Sequence, residues 1–270
     1  MPLISDRLGE LLQEHEFLYG VICRDATLTD IELMAQAGYH IVWLDLEHCP
    51  QSVPELIRLT RTVNHLGMVP LVRVPELLRT NVQPLVDGGV QIVALPDVRD
   101  ADQAALLVQL GKYPPLGQRG VATTSAGTAF QLGPDPLQTL REANDATRMM
   151  VIFENDAGYE NLKEILAVPG IDIVTVGRMD WSTSLGLSGD EAREVLAPKI
   201  ERVLTATMEA DKIPVMAVSS PEHADPYVDL GVRVFFVGVD IALKRRTLVE
   251  MIEGFQGVLG GGRKSNDRST

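Results

Sequence analysis

The chain has 270 residues, 45% of them hydrophobic, enough to bury one large α/β core. Its 24 basic and 37 acidic side chains give a formal net charge of −13, which repels nucleic acid and anionic membrane surfaces over the protein as a whole. No stretch is apolar enough for a membrane span, and Asp6, Arg7 and Glu10 interrupt any leader-like core. The two cysteines, Cys23 and Cys49, are too few for a disulfide framework, so a reducing cytoplasm is the expected location.

In chain order, residues 3–15 read as a capping helix, and residues 19–23 as the first short strand. A loosely repeated unit follows, in which a helix ends on glycine, an apolar β-branched run comes next, and an acid closes it. It occurs at residues 38–45, 89–97, 170–180 and 231–240. Glycine past a helix supplies a left-handed cap, and an uninterrupted apolar run is what a strand buried on both faces requires. Residues 69–72, 149–153 and 214–218 add further runs, giving eight candidate strands. Helical spacing fills the gaps: Val53, Leu56, Ile57, Thr60 and Val63; Val82, Leu85 and Val86; Leu248, Met251, Ile252 and Phe255. Residues 113–144, rich in Gly, Pro, Ser and Thr, read as an inserted loop suited to line a substrate entrance, and residues 260–270 as a disordered tail. Alternating strands and helices without a Gly-x-Gly-x-x-Gly in the first unit predict a TIM (β/α)8 barrel, one domain over residues 1–259.

Reactive groups in such a barrel stand where strands end. Strand two ends in Asp45-Leu-Glu-His48, strand three in Arg73, strand five in Glu154, and strand six in Gly177-Arg-Met-Asp180. Glu154 and Asp180 close neighbouring strands, so both carboxylates can reach one volume. A hard divalent cation would relieve their repulsion, Mg2+ or Mn2+ before Zn2+, with Co2+ admissible; N-capping of the next helices is the competing use of the same acids. Arg73 ends an apolar run and needs an anion, either a bound keto acid or a structural partner. His48 can serve as a base, with Asp45 to orient it. None of the six lysines, Lys112, Lys163, Lys199, Lys212, Lys244 and Lys264, closes an apolar strand, which argues against a Schiff base.

The motifs Leu44-Asp-Leu-Glu-His48, Pro70-Leu-Val-Arg73, Phe153-Glu154 and Val176-Gly-Arg-Met-Asp-Trp-Ser182 resemble the HpcH/HpaI aldolase family, the class II pyruvate-dependent aldolases. The likeness extends to residues 113–120 and 237–240. It implies reversible cleavage of 4-hydroxy-2-oxo acids to pyruvate or hydroxypyruvate and an aldehyde. In that scheme Glu154 and Asp180 hold the metal, and backbone groups at Gly177, Met179 and Asp180 meet the substrate carboxylate. Arg73 stabilises the enolate oxygen, and His48 moves the proton of the aldehyde-derived hydroxyl. An acid matching Asp87 assists His48, from a neighbouring subunit because Asp87 ends a helix away from the strand ends. The resemblance also implies a hexamer built from dimers that exchange C-terminal helices, an arrangement the apolar stripe after Asp240 fits as well as it fits ordinary docking. Ile152 stands where the family carries glutamine, and Gly177-Arg178 where it carries Gly-Pro, which bears on substrate preference. Two other readings remain: a CoA-ester lyase of the citrate lyase type, and an inactive keto-acid-binding barrel.

Overall fold

A computed structural model describes residues 5–131 and 133–261. Eight strands close into a parallel barrel in chain order: β1 (Leu18–Cys23), β2 (Ile41–Asp45), β3 (Val69–Arg73), β4 (Ile92–Leu95), β5 (Arg148–Phe153), β6 (Ile171–Val176), β7 (Ile213–Ala217) and β8 (Val234–Val239). The first helices are α1 (Arg7–Glu14), α2 (Leu28–Ala37), α3 (Val53–His65), α4 (Arg79–Asp87), α5 (Ala101–Gly111) and α6 (Pro136–Ala146). The later ones are α7 (Asp156–Glu160), α8 (Leu162–Leu166), α9 (Arg178–Ser184), α10 (Gly189–Glu209), α11 (Asp225–Asp229) and α12 (Asp240–Gly261).

Each repeat follows the physics that predicts it. Gly38, Gly89, Gly170 and Gly231 all adopt positive φ, between 90° and 99°, and return the chain from helix to strand. The strands are apolar at most positions because both faces are covered, with polar side chains mainly at strand ends, such as Asp45 and Arg73, and at Asp172 and Thr175 of β6. Ile41 and Trp43 of β2 point into the barrel with Leu71, Ile92, Ile152 and Phe236, while Val42 and Leu44 face the surrounding helices. Helix α1, capped by the Asp6 side chain, sends Leu8 and Leu11 into the interior cluster and so stoppers one end of the barrel. No helix among the described residues is long and apolar enough to cross a membrane.

The expected insertion behaves differently from a mouth loop. Its last part is α6, started by the Asp135 cap and Pro136 at the first helical position, a signal hidden inside a loop-like composition. The preceding stretch is pinned to α4, where Arg119 binds Asp87 and a side chain at Gly127 would strike the Val86 carbonyl. None of the described residues between 113 and 144 lines the cavity at the barrel mouth. Residues 262–270, most of the segment predicted to be a disordered tail, lie outside the described residues.

Helix α12 touches its own barrel only through its first turns, where Leu243 packs on the core and Lys244 Nζ meets Asp30 at 2.9 Å. After the buried Asp240, Leu243 alone is half-buried, and Leu248, Met251, Ile252 and Phe255 are all exposed. The outer wall of β8 and β1, where an eighth helix would pack, is left as a groove of about 890 Å3 lined by Phe17, Phe235, Val237 and Val228 among others.

Candidate active site

Parallel register places the charged strand ends at one level. Asp45 and Arg73 are direct partners in the β2–β3 ladder, so both side chains turn inward side by side. Arg73 Nε donates to Asp45 Oδ1 at 3.0 Å and Nη2 to Oδ2 at 2.6 Å, and Nη1 lies 2.8 Å from Glu47 Oε2. Both side chains of the fork are buried. Burial alone would lift the Asp45 carboxyl, but the Arg73 hydrogen bonds and charge overcome it and hold it below the usual carboxylate range. Burial would likewise discourage the guanidinium charge, and the Asp45 bonds raise the Arg73 pKa above its ordinary value. Arg73 therefore already has its anion, within the chain, and keeps further N–H donors unassigned by these bonds.

Asp45 is thus committed to Arg73, with Arg24 Nε 3.7 Å away, and does not orient the His48 ring as expected. Toward His48 it offers only Oδ1 to the backbone N–H, at 3.5 Å. The His48 ring is exposed, and its Nε2 sits 3.7 Å from Glu47 Oε2. Below the fork, Arg73 Cζ is 5.8 Å from the centre of the Trp43 ring, two residues back along β2 and so on the same inner face.

Glu154 follows β5 directly and is buried. Its Oε1 accepts the Asp97 N–H at 2.6 Å, and its Oε2 rests against Gly177, where any side chain would overlap it. Burial, with Asp180 nearby, pushes the Glu154 carboxyl up to about 7. Asp180 lies in the first turn of α9, exposed, with no hydrogen bond or ion pair among the described residues. Neither acid caps a helix: Asn155 caps α7 through its side chain, and Gly177 occupies the cap position of α9. The competing use weighed for these acids is therefore absent.

A cavity of about 680 Å3 at the mouth is lined by Trp43, Arg73, Glu154, Gly177, Met179 and Asp180 with a wall from α10. No lysine among the described residues lines it. No group of three or more His, Cys, Asp or Glu side chains is placed to hold a metal among the described residues, so the chain offers the pair Glu154 and Asp180. Two hard oxygen donors suit a cation that keeps several waters and takes substrate oxygens. Asp87 is elsewhere: as the last residue of α4 it meets Arg119 Nη2 at 2.6 Å, and one chain does not bring it to His48. Sequence reasoning missed three members of this assembly: Glu47, Arg24 and the Asp97 amide. Asp97, the acid closing the 89–97 unit, adopts φ 48°, a left-handed turn that aspartate tolerates and that aims its N–H at Glu154.

Residues 24–246 match the family model described as HpcH/HpaI aldolase/citrate lyase. A hydroxypyruvate/pyruvate aldolase of Delftia acidovorans is 34% identical over 247 residues, 91% of each chain. A 4-hydroxy-2-oxo-heptane-1,7-dioate aldolase of Klebsiella pneumoniae is 32% identical over 216 residues, 80% of each. Among solved structures, an HpcH/HpaI aldolase from Desulfitobacterium hafniense superposes with a TM-score of 0.86 at 25% identity, over 92% of this chain and 96% of the other. The chain belongs to the HpcH/HpaI aldolase/citrate lyase family and is an enzyme of the carbon–carbon lyase class.

Proposed function

We propose that this barrel, one domain over residues 1–259, is a cytoplasmic, divalent-metal-dependent aldolase that reversibly cleaves 4-hydroxy-2-oxo acids to pyruvate or hydroxypyruvate and an aldehyde. The observation that carries the reading is the pair Glu154 and Asp180, free of capping duties, facing one cavity beside the buried Arg73. A cation held by the two carboxylates, Mg2+ or Mn2+ by donor chemistry, would act as a Lewis acid for the keto-acid oxygens. The free N–H groups of Met179 and Asp180 in the first turn of α9 suit the substrate carboxylate. In the cleavage direction His48 takes the proton of the C4 hydroxyl, the C3–C4 bond breaks, and its electron pair moves onto the C2 oxygen, which Arg73 stabilises by hydrogen bonding. Reprotonation at C3 yields the keto acid. Asp45 acts here by fixing the Arg73 fork, and Asp87 by assisting His48 of an adjacent subunit.

The test is pyruvate release from 4-hydroxy-2-oxo acids: EDTA should abolish it and Mn2+ or Mg2+ restore it, while full activity in metal-free protein would overturn the reading. A binding measurement adds an independent check. With Glu154 held at about 7, the ion competes with a proton below that pH. Mn2+ affinity should therefore fall as pH drops from 8 to 6, with proton release on binding near neutrality; an affinity flat across that window would remove Glu154 as a ligand.

Helix α12 supports a reading of the assembly. Its exposed stripe and the groove on β8 and β1 are complementary in kind: the first turns of α12, to Arg246, border the groove, and Leu248, Met251, Ile252 and Phe255 beyond them are exposed. We read the occupant of that groove as α12 of a second copy, the exchange from which a hexamer of dimers is built. Ile252→Asp combined with Phe255→Asp should reduce the assembly to monomers by light scattering. An unchanged mass would assign the stripe another role.

A further inference from the structure

The mouth cavity, about 680 Å3, is far larger than a three-carbon keto acid needs, so it has room for the aldehyde as well. Its lining also includes Leu187, Ala192 and Leu196, an apolar wall, and holds four arginines in all, Arg73 among them. Three of these are already paired: Arg24 with Asp45 at 3.7 Å, Arg73 with Asp45 and Glu47 at 2.6 and 2.8 Å, and Arg193 with Asp190 at 3.2 Å. Arg178 pairs with no carboxylate among the described residues. Its Nη2 donates to the carbonyl of Ala217, at the end of β7, at 3.1 Å. One backbone bond anchors the side chain and leaves its other N–H donors for a ligand. Glu154 and Asp180 are the acids in the cavity lining, and both are committed to the cation in the reading above. Nothing on the wall then balances Arg178, and a planar guanidinium is matched by two oxygens of one anion.

We propose that Arg178 is a specificity-determining residue that favours acceptor aldehydes whose far end carries a carboxylate or phosphate over neutral aldehydes of similar size. This rests on the aldolase reading. The competing use of the side chain is structural, because Arg178 also borders the groove assigned to a second copy's α12, whose Glu250 or Glu253 could pair with it.

The experiment measures kcat/KM for aldol addition of pyruvate, with Mn2+, to two matched pairs: succinic semialdehyde against butanal, and glyceraldehyde 3-phosphate against glyceraldehyde. In Arg178→Gln the charged-to-neutral ratio should fall at least about tenfold in one pair or both, the scale of one charge-assisted contact, and Arg178→Lys should recover part of it. The pair with the larger fall identifies the anion. A ratio altered by less than about twofold in both pairs overturns the proposal, and if the oligomer falls apart at the same time, Arg178 belongs to the subunit contact instead. Exchange of the pyruvate methyl protons in deuterated water separates the two levels. Wild-type protein that neither exchanges nor adds aldehydes removes the aldolase reading itself, whereas exchange with unaltered selectivity removes only the role of Arg178.

Discussion

Glu154→Gln is expected to have two opposite effects: pyruvate release falls at least about a thousandfold, while the metal-free protein becomes more resistant to heat. In the proposed mechanism the loss follows from removing one of the two carboxylates that the described residues offer the cation, whose Lewis-acid contribution is several kcal/mol, and ~4 kcal/mol is about a thousandfold in rate. The gain follows from burial. Glu154 titrates at about 7 in the folded chain against an ordinary 4.5, so the folded state holds its proton more tightly than the unfolded state. Its contribution to stability is fully present below pH 4.5 and is lost as pH rises through 7. At pH 8 that loss amounts to about 3 kcal/mol as an upper figure. Glutamine keeps an oxygen for the Asp97 N–H and is never charged, so it escapes the loss, and the metal-free melting temperature should rise by several degrees. Calorimetry at pH 8 in EDTA checks the second effect and a turnover assay the first. Activity within about tenfold of wild type would sink the cation site, and a lower melting temperature would show that the carboxylate is not destabilised by its surroundings.

The barrel was legible because its signals are local and repeated. A glycine that takes positive φ, followed by a predominantly apolar, β-branched run, reads as a helix end feeding a doubly covered strand, and all four such units fold that way. The segment from 113 to 144 misled because composition records average polarity, whereas Asp135-Pro136 is a two-residue start signal that the average dilutes. What fixes that segment is also non-local: Arg119 reaches back to Asp87 at the end of α4, a contact that spacing along the chain does not display.

The site divides along the same line. Strand ends are countable, so the sequence places Asp45, His48, Arg73, Glu154 and Asp180 at or just past them, and of these Arg73, Glu154 and Asp180 line the mouth cavity. Which of them touch depends on register. Closeness in sequence pairs Asp45 with His48, but Asp45 and Arg73 are cross-strand partners buried at one level, and a buried guanidinium beside a carboxylate takes both its oxygens. The exposed His48 has no comparable hold on it. Glu47, Arg24 and the Asp97 amide complete the network from loops and backbone, where residue type alone carries little positional information.

Arg73→Lys keeps the charge at the mouth but should lower turnover by at least about a hundredfold, the scale of losing one oxyanion contact. Arginine holds two anions at once here, Asp45 through Nε and Nη2 and Glu47 through Nη1, and in the proposed mechanism it meets the substrate oxygen through the donors left over. A lysine ammonium has three donors on a flexible stem and no fixed plane, so holding Asp45 and Glu47 leaves its alignment to the substrate undefined. Losing the fork also releases Asp45, whose carboxyl is held low mainly against burial by Arg73, and its titration should move upward in the variant. The effect should fall on the chemistry more than on affinity, so kcat should drop more steeply than KM rises, and exchange of the pyruvate methyl protons should slow in parallel. If instead turnover and exchange stay within about fivefold of wild type while thermal stability drops, the guanidinium does no more than bind Asp45 and Glu47 together, and the oxygen of the keto acid must be stabilised by other groups in the cavity.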